Sequence, residues 1–263
     1  MIVRHESDGS LVMIAQNDHA KVSGLCASHW GNERFARAHP YEACVRAAFL
    51  HDLAWLREET SPRFDPATGT TINYLDVANE SQLDEYPWST HWLEKLDAYT
   101  ALLVSKHRTG IWKSRYGLMT KPNYPVRRLG PQIEALVDKL HAEQKAAMTA
   151  FDEHEVTTNY VLLQIWDLLS LYICSTETLK ETSWEPVPTS YARRPGESIQ
   201  LVPVEPNRIS ISPYPFDCPS LDVSVVHRRL PTSHFADVQS FHAAYFNTTP
   251  RVATFTFFDP EAN

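Results

Sequence analysis

The chain has few cysteines and no long apolar run, and each of these features narrows the class of protein to which it can belong. The four cysteines (Cys26, Cys44, Cys174 and Cys218) are far apart and form no Cys-x-x-Cys pair. Neither a disulfide framework nor a structural zinc site is therefore predicted, and free thiols in a reducing cytoplasm are expected. No stretch approaches the roughly 20 apolar residues of a membrane span. The N-terminus also lacks the apolar run and cleavage site of a signal peptide.

A basic tract is also missing. The formal net charge of the 263 residues is −8 at pH 7, so neither a nucleic-acid surface nor a membrane partner is expected. A small anionic ligand remains compatible with this charge if positive side chains are concentrated locally. The sequence contains no internal repeat, and its hydrophobic content of 43% is enough for a large core.

Residues 1–184 have a mainly helical pattern. Residues 1–15 predict a short strand or hairpin with its turn at Asp8-Gly9. Residues 58–87 and 121–125 are rich in loop-forming residues, and a loop as long as 58–87 is usually functional or a lid. Apolar periodicity predicts helices over residues 17–32, 40–57, 88–107, 130–153 and 157–179.

The composition changes after Trp184, where most of the 18 prolines are found. Residues 235–246 predict one more helix within this region. Short alternating stretches at 198–204, 208–212, 221–227 and 251–257 predict antiparallel strands separated by proline-rich turns. We therefore expect a mainly α protein. Residues 1–184 would form a helical domain, and residues 185–263 a small antiparallel β-rich extension packed on it.

Five ionisable residues lie within apolar, helix-forming stretches. They are His19, the adjacent pair His51 and Asp52, His107 and Asp167. Burying such groups is costly unless they are paired or bind a metal. Imidazole and carboxylate groups together bind divalent iron, manganese and zinc. The five residues predict a site for one or two such ions in the core of the helical domain.

Two of these positions have specific local support. His51 and Asp52 would face water if they merely ended an amphipathic helix, but apolar residues surround them. Adjacent residues point about 100° apart on a helix, so the pair could contact two ions, or one ion at close range. Gln164, Asp167 and Ser170 form a polar stripe on an otherwise apolar helix. That stripe favours a buried polar site over an aspartate hydrogen-bonded within the core.

The assignment of the other histidines as metal ligands depends more on their partners. His19 alone would be structural, and His107 could instead interact with the dipole at the C-terminal end of a helix. His91 precedes His107 by 16 residues, which places the two about 160° apart on one straight helix. His91 could therefore join the site only if the helix breaks, and Asp97 could then cap the second helix.

Basic residues surround His107 and suggest an anion-binding region, although a solvated loop would have the same composition. They are Lys106, Arg108, Lys113 and Arg115. Asp52 and Asp18 are the candidate catalytic residues, the latter as a group that orients a water molecule. The candidate substrate-binding residues are Lys106, Arg108, Arg57, Asp65 and Gln164.

The order of the five residues resembles that of the HD-domain superfamily of metal-dependent phosphohydrolases. Several stretches also resemble the bacterial family of unknown function DUF3891: QNDHAKVSG (16–24), AFLHDLAW (48–55), SPRFDPATG (61–69), LLVSKH (102–107) and LLQIWDLLSL (162–171). The resemblance implies an HD-domain-like helical bundle with the metal between its helices. It also implies His19, His51, Asp52 and Asp167 as ligands of one ion, with His107, and His91 if its helix breaks, extending the site to two.

The leading hypothesis is a metal-dependent hydrolase of a small anionic substrate, such as a phosphate ester, that uses metal-activated water. One alternative is a di-iron oxygenase acting on a small polyol or phosphonate. The other is a binding protein without catalytic activity. A homodimer is also possible.

Overall fold

The computed structural model describes residues 1–118 and 128–262, so the predicted break at 121–125 lies outside the described residues. The helices are α1 Gln16–His29, α2 Tyr41–Leu50, α3 Leu56–Glu59, α4 Glu85–Leu96, α5 Ala98–Trp112, α6 Pro131–Met148, α7 Glu153–Cys174 and α8 Val238–Asn247. The strands are β1 Ile2–His5, β2 Leu11–Ile14, β3 Phe64–Asp65, β4 Thr70–Thr71, β5 Thr182–Ser183, β6 Gln200–Glu205, β7 Arg208–Ser212, β8 Ser220–Leu230 and β9 Arg251–Phe258.

The helical layer is built around α1, α2, α5 and α7, which contact one another. Helices α5 and α7 are buried on nearly every side, as their apolar sequences require. The predicted helix over 88–107 is divided at Asp97, whose side chain accepts a hydrogen bond of 2.6 Å from the backbone N–H of Thr100 and caps α5. This break separates α4, at the surface, from α5, in the core.

The second layer is a seven-stranded sheet with the strand order β1-β2-β8-β9-β7-β6-β5. Strand β8 alternates buried and exposed residues over most of its length, and its inner face lies against α1. Trp30, which follows α1, joins the layers. Its ring lies 6.1 Å from that of Trp166 in α7 and 5.9 Å from that of Phe216 beside the sheet.

The prediction of a mainly α bundle with a small β appendage was wrong. Of the described residues, 47% are helical and 19% lie in strands. The sheet takes strands from both ends of the chain, because β2 pairs with β8 through the register Leu11↔Leu230. The strands were also expected to be antiparallel throughout, but β7 and β9 pair in parallel. Pairing between distant segments leaves no local mark in a sequence, so the size of the sheet was missed.

Individual elements were predicted more accurately than their assembly. The hairpin near Asp8-Gly9, the four strands of the C-terminal region and the helix α8 are confirmed. One hydrophobic core includes residues of both the helices and the sheet. The division of the chain into a domain of residues 1–184 and an extension of residues 185–263 stays a prediction. Within the two described ranges, no helix combines the length and the apolarity needed to cross a bilayer.

Candidate metal centre

The end of α2 brings His51 and Asp52 into one space. The predicted helix over 40–57 instead stops at Leu50. His51 retains helical angles (φ −60°, ψ −28°), whereas Asp52 leaves them (φ −106°, ψ 19°) before a 3-10 helix, Leu53–Trp55. The chain therefore turns between the two side chains, and Nε2 of His51 lies 3.8 Å from Oδ2 of Asp52. Without this turn, the two residues would diverge as neighbours on a regular helix do.

Three other helices complete the cluster, which we define as His19, His51, Asp52, His107 and Asp167. His19 comes from α1, His107 from α5 and Asp167 from α7. Oδ1 of Asp167 lies 3.5 Å from Nε2 of His51, and Oδ2 of Asp167 lies 3.9 Å from Nε2 of His107. All five residues are buried, with exposed fractions between 1% and 6%. The structure thus brings together every member of the main predicted ligand set.

Hydrogen bonds orient the histidine rings. Nδ1 of His51 donates to the carbonyl oxygen of Ala48 at 2.8 Å, which directs Nε2 towards the cluster. Nδ1 of His19 lies 2.7 Å from Oγ of Ser170, while its Nε2 lies 2.8 Å from Oδ2 of Asp52. These contacts to carbonyl and hydroxyl groups resemble those that commonly hold metal-binding histidines.

His107 has a comparable partner in Gln164, which the sequence had placed among the substrate-binding residues. The side-chain nitrogen of Gln164 lies 3.1 Å from Nδ1 of His107. Gln164 is fully buried behind the ring and does not line the adjoining cavity. Its position is that of a residue that orients His107.

The electrostatics of the cluster favour ionised carboxylates. Burial opposes charge on Asp52 and Asp167, but contacts with the histidines hold the pKa of both carboxyl groups below the ordinary value. Burial also lowers the pKa of His51, yet the two carboxylates outweigh it and raise that pKa to about 9. For His107, burial and the neighbouring His51 lower the pKa to about 3.

The donor set fits a divalent ion. Two groups of possible ligands, His19-His51-Asp52 and His51-His107-Asp167, each place their donor atoms within 4.8 Å of one another and share His51. Nε2 of His51 is buried and makes no hydrogen bond within the described structure. A buried nitrogen of this kind is costly unless a proton or metal is bound to it. Histidine and carboxylate donors together suit zinc, manganese and iron.

A cavity of about 100 Å³ adjoins the cluster. Its wall includes two arginines. Arg108 packs against the rings of Tyr86 and Trp112, at 4.1 and 4.3 Å from their centroids, and donates to Oε1 of Gln82. Nη2 of Arg115 lies 3.1 Å from Oδ2 of Asp167. Two arginines and four of the cluster residues, His19, Asp52, His107 and Asp167, therefore line the same cavity.

Two further predicted residues lie elsewhere. His91 was expected to join the site if the helix broke, and the helix does break. However, the side chain of His91 is 69% exposed on α4 and lies 3.7 Å from Glu94, away from the cluster. The predicted catalytic residue Asp18 does not line the cavity, and its carboxylate binds Nζ of Lys21 at 2.6 Å. Both belong to the surface, because a break in a helix does not by itself turn an exposed face inwards.

Three predicted substrate-binding residues also lie outside the cavity wall. Arg57 is at the surface, where its guanidinium stacks 4.6 Å from the ring of Trp88. Asp65 closes its own turn and accepts a hydrogen bond from Thr68 at 2.8 Å. Lys106 lies next to two tyrosine rings on another side of α5. Of the four basic residues noted near His107, Arg108 and Arg115 line the cavity.

Other lining residues were not predicted as site residues. Arg115 was noticed only as one of several basic residues near His107. Gln16 lies one helical turn before His19, so its spacing was a usable signal. Tyr74 comes from the long segment 58–87 and had no local signal, because only the folding of that segment brings it to the cavity.

A buried histidine–aspartate cluster beside an arginine-lined cavity, on a mixed α/β scaffold, defines a candidate metalloprotein. Residues 1–232 match the model of the family DUF3891, whose description is "Protein of unknown function", and the chain belongs to this family. The matched region contains all five cluster residues and extends through β8. No curated protein and no solved structure matches the chain.

Proposed function

We propose that the protein is a metal-dependent hydrolase of a small anionic substrate, with phosphate esters as the leading class. One observation supports this proposal above the others. Four of the five buried donors, His19, Asp52, His107 and Asp167, line one cavity together with two arginines suited to an anion, Arg108 and Arg115. The order of the donors along the chain is also the one that resembles the HD-domain phosphohydrolases, and that relationship is part of the proposal.

His19, His51, Asp52 and Asp167 would hold the ion, and His107 would complete a second position. A divalent ion supplies a Lewis acid for a phosphoryl oxygen and lowers the pKa of a bound water. Asp52 stays ionised because its pKa is lowered, so it acts as a ligand and a hydrogen-bond acceptor rather than as an acid.

The cavity wall would position the substrate. Arg108 presents a guanidinium that two aromatic rings hold in place, which limits the entropy lost when an anion binds. Trp55, Tyr74 and Trp112 contribute apolar surface to the same wall. Apolar surface of this kind lowers the local dielectric constant and strengthens the electrostatic interactions within the site.

The cluster offers five donors, more than the three protein ligands of a typical mononuclear catalytic site, and this number favours a dinuclear site. A di-iron oxygenase is therefore the second candidate function. The oxygenase would act on a small polyol or phosphonate. Because the four cysteines are free, we place either activity in the reducing environment of the cytoplasm.

The first test is elemental analysis of the freshly purified protein, with optical spectra before and after exposure to air, followed by a screen of phosphate esters. We expect one or two redox-silent ions per chain, and phosphate release that is lost in His51→Ala. The surface variant His29→Ala is the matched control and should keep both. Two irons with an oxygen-sensitive spectrum would favour the oxygenase. Absence of metal after reconstitution would contradict both functions.

A further inference from the structure

Arg115 lies on a turn that the backbone adopts at some cost. Ser114, Arg115 and Tyr116 have successive φ values of 52°, 57° and 54°, in the left-handed region that non-glycine residues usually avoid. Contacts of Tyr116 stabilise the turn: its hydroxyl lies 3.1 Å from Nε2 of His141 and also bonds to Oγ1 of Thr109. The turn therefore holds Arg115 in one direction, towards the core.

The guanidinium of Arg115 is placed where a cation would bind the cluster. The residue is 1% exposed, and its Nη2 lies 3.1 Å from Oδ2 of Asp167. The same carboxylate contributes to the ligand group that contains His51 and His107. A metal ion at Asp167 would compete with the guanidinium for this carboxylate, because both are cations that need its negative charge.

The charges along the cavity wall indicate that an anion binds together with the divalent ion. Among the described lining residues, the permanently charged side chains are two carboxylates, Asp52 and Asp167, and two guanidinium groups, Arg108 and Arg115. These four charges cancel. A divalent ion adds two positive charges to a buried site, and such an excess is costly unless an anion accompanies the ion. A dianion would restore the balance.

We propose that Arg115 is an anion-binding residue whose guanidinium passes from Asp167 to the dianionic group of the substrate when a divalent ion binds that carboxylate. This rests on the proposed function and adds a dianionic substrate class to it. Arg115 thereby links two binding events. The ion releases the guanidinium for the anion, and the anion removes a competitor of the ion, so each ligand strengthens the binding of the other.

Replacing Arg115 should change the affinities for the two ligands in opposite directions. In Arg115→Gln, Asp167 loses its cationic partner, so the affinity for Mn²⁺ should rise in the absence of phosphate. The affinity for inorganic phosphate in the presence of Mn²⁺ should fall by about tenfold or more, because a charged hydrogen-bond donor is lost. Arg115→Lys keeps the charge without the planar fork and should show an intermediate phosphate affinity.

Calorimetric titrations of Mn²⁺ and of inorganic phosphate, each alone and with the other, test this on the full chain. Arg34→Gln is the matched control, because Arg34 pairs with Glu197 at the surface, and it should bind both ligands as the unchanged protein does. If Arg115→Gln does not fold, the phosphate affinity of Arg115→Lys is compared with that of the unchanged protein, and this comparison tests the contribution of Arg115.

Two results would overturn the proposal. One is an unchanged phosphate affinity in Arg115→Gln and Arg115→Lys. The other is a parallel loss of Mn²⁺ and phosphate affinity, which a purely structural arginine would produce. These results are separable from the proposed function, since they need no turnover. Normal coupling without hydrolysis of any ester would contradict the hydrolase alone.

Discussion

Two groups of side chains in this protein offer histidine and aspartate donors, and they differ in their surroundings. The cluster is buried, and Nε2 of its His51 makes no hydrogen bond within the described structure. The surface group combines His29, Asp217 and Cys218, whose possible ligand atoms also lie within 4.8 Å of one another. There, His29 and Arg37 each contact a different oxygen of Asp217 at 2.8 Å.

The difference shows that donor types and spacing do not define a metal site by themselves. At the surface, His29 and Arg37 already satisfy Asp217, so an ion would have to displace good partners. In the core, water is excluded and the donors are held by hydrogen bonds to other buried groups. Burial makes unpaired charge on the cluster costly, so a bound cation stabilises the buried donors more than it would stabilise exposed ones. Substitutions in the two groups can therefore be compared directly.

The largest effect is expected for Asp52→Ala. This change removes a candidate ligand and leaves Nε2 of His19 without the carboxylate that it contacts at 2.8 Å. We expect loss of bound metal and a decrease of about 3 kcal/mol in the free energy of unfolding. Elemental analysis and urea denaturation would measure the two quantities. Unchanged metal content would show that Asp52 is not a ligand.

A change of pH is expected to have an intermediate effect, on the affinity of the cluster for a metal ion. In the metal-free protein, the pKa of His51 is raised from 6.5 to about 9, so His51 holds a proton at pH 7.5. A metal ion must displace this proton, and its affinity should fall about tenfold for each pH unit below 9, down to the range where other ligands titrate. Calorimetry in buffers of different ionisation enthalpy should detect release of about one proton per ion at pH 7.5. Binding without proton release would contradict the assignment of His51.

The smallest effect is expected for Asp217→Ala in the surface group. The side chain of Asp217 is 32% exposed, and its ion pairs with His29 and Arg37 are accessible to solvent. The free energy of unfolding should change by less than about 1 kcal/mol, and the metal content of the purified protein should stay the same. A loss of metal in this variant would mean that the surface group, rather than the cluster, binds the ion.

Much of the candidate site could be predicted because its residues stand out against their neighbours. An aspartate or histidine in an apolar helix must be satisfied by a partner, and this reasoning found all five members of the cluster. It failed for His91, whose helix is amphipathic, so that an exposed position satisfies it equally well. The basic region near His107 was predicted from composition, which does not show which side of α5 or of the following turn a cation faces, so Lys106 was named as a substrate-binding residue and Arg115 was not.

The sequence by itself determined the longer helices and strands, the apolar stretches that become the core and the five buried donors, because these follow from local periodicity and from the cost of burying charge. The tertiary structure alone decided three matters. It joined strands from both ends of the chain into one sheet, turned the chain between His51 and Asp52, and directed Arg115 towards Asp167. Each of these three features depends on contacts between segments that are distant in sequence, or on a turn that such contacts stabilise. Contacts of this kind leave no local signal in the sequence.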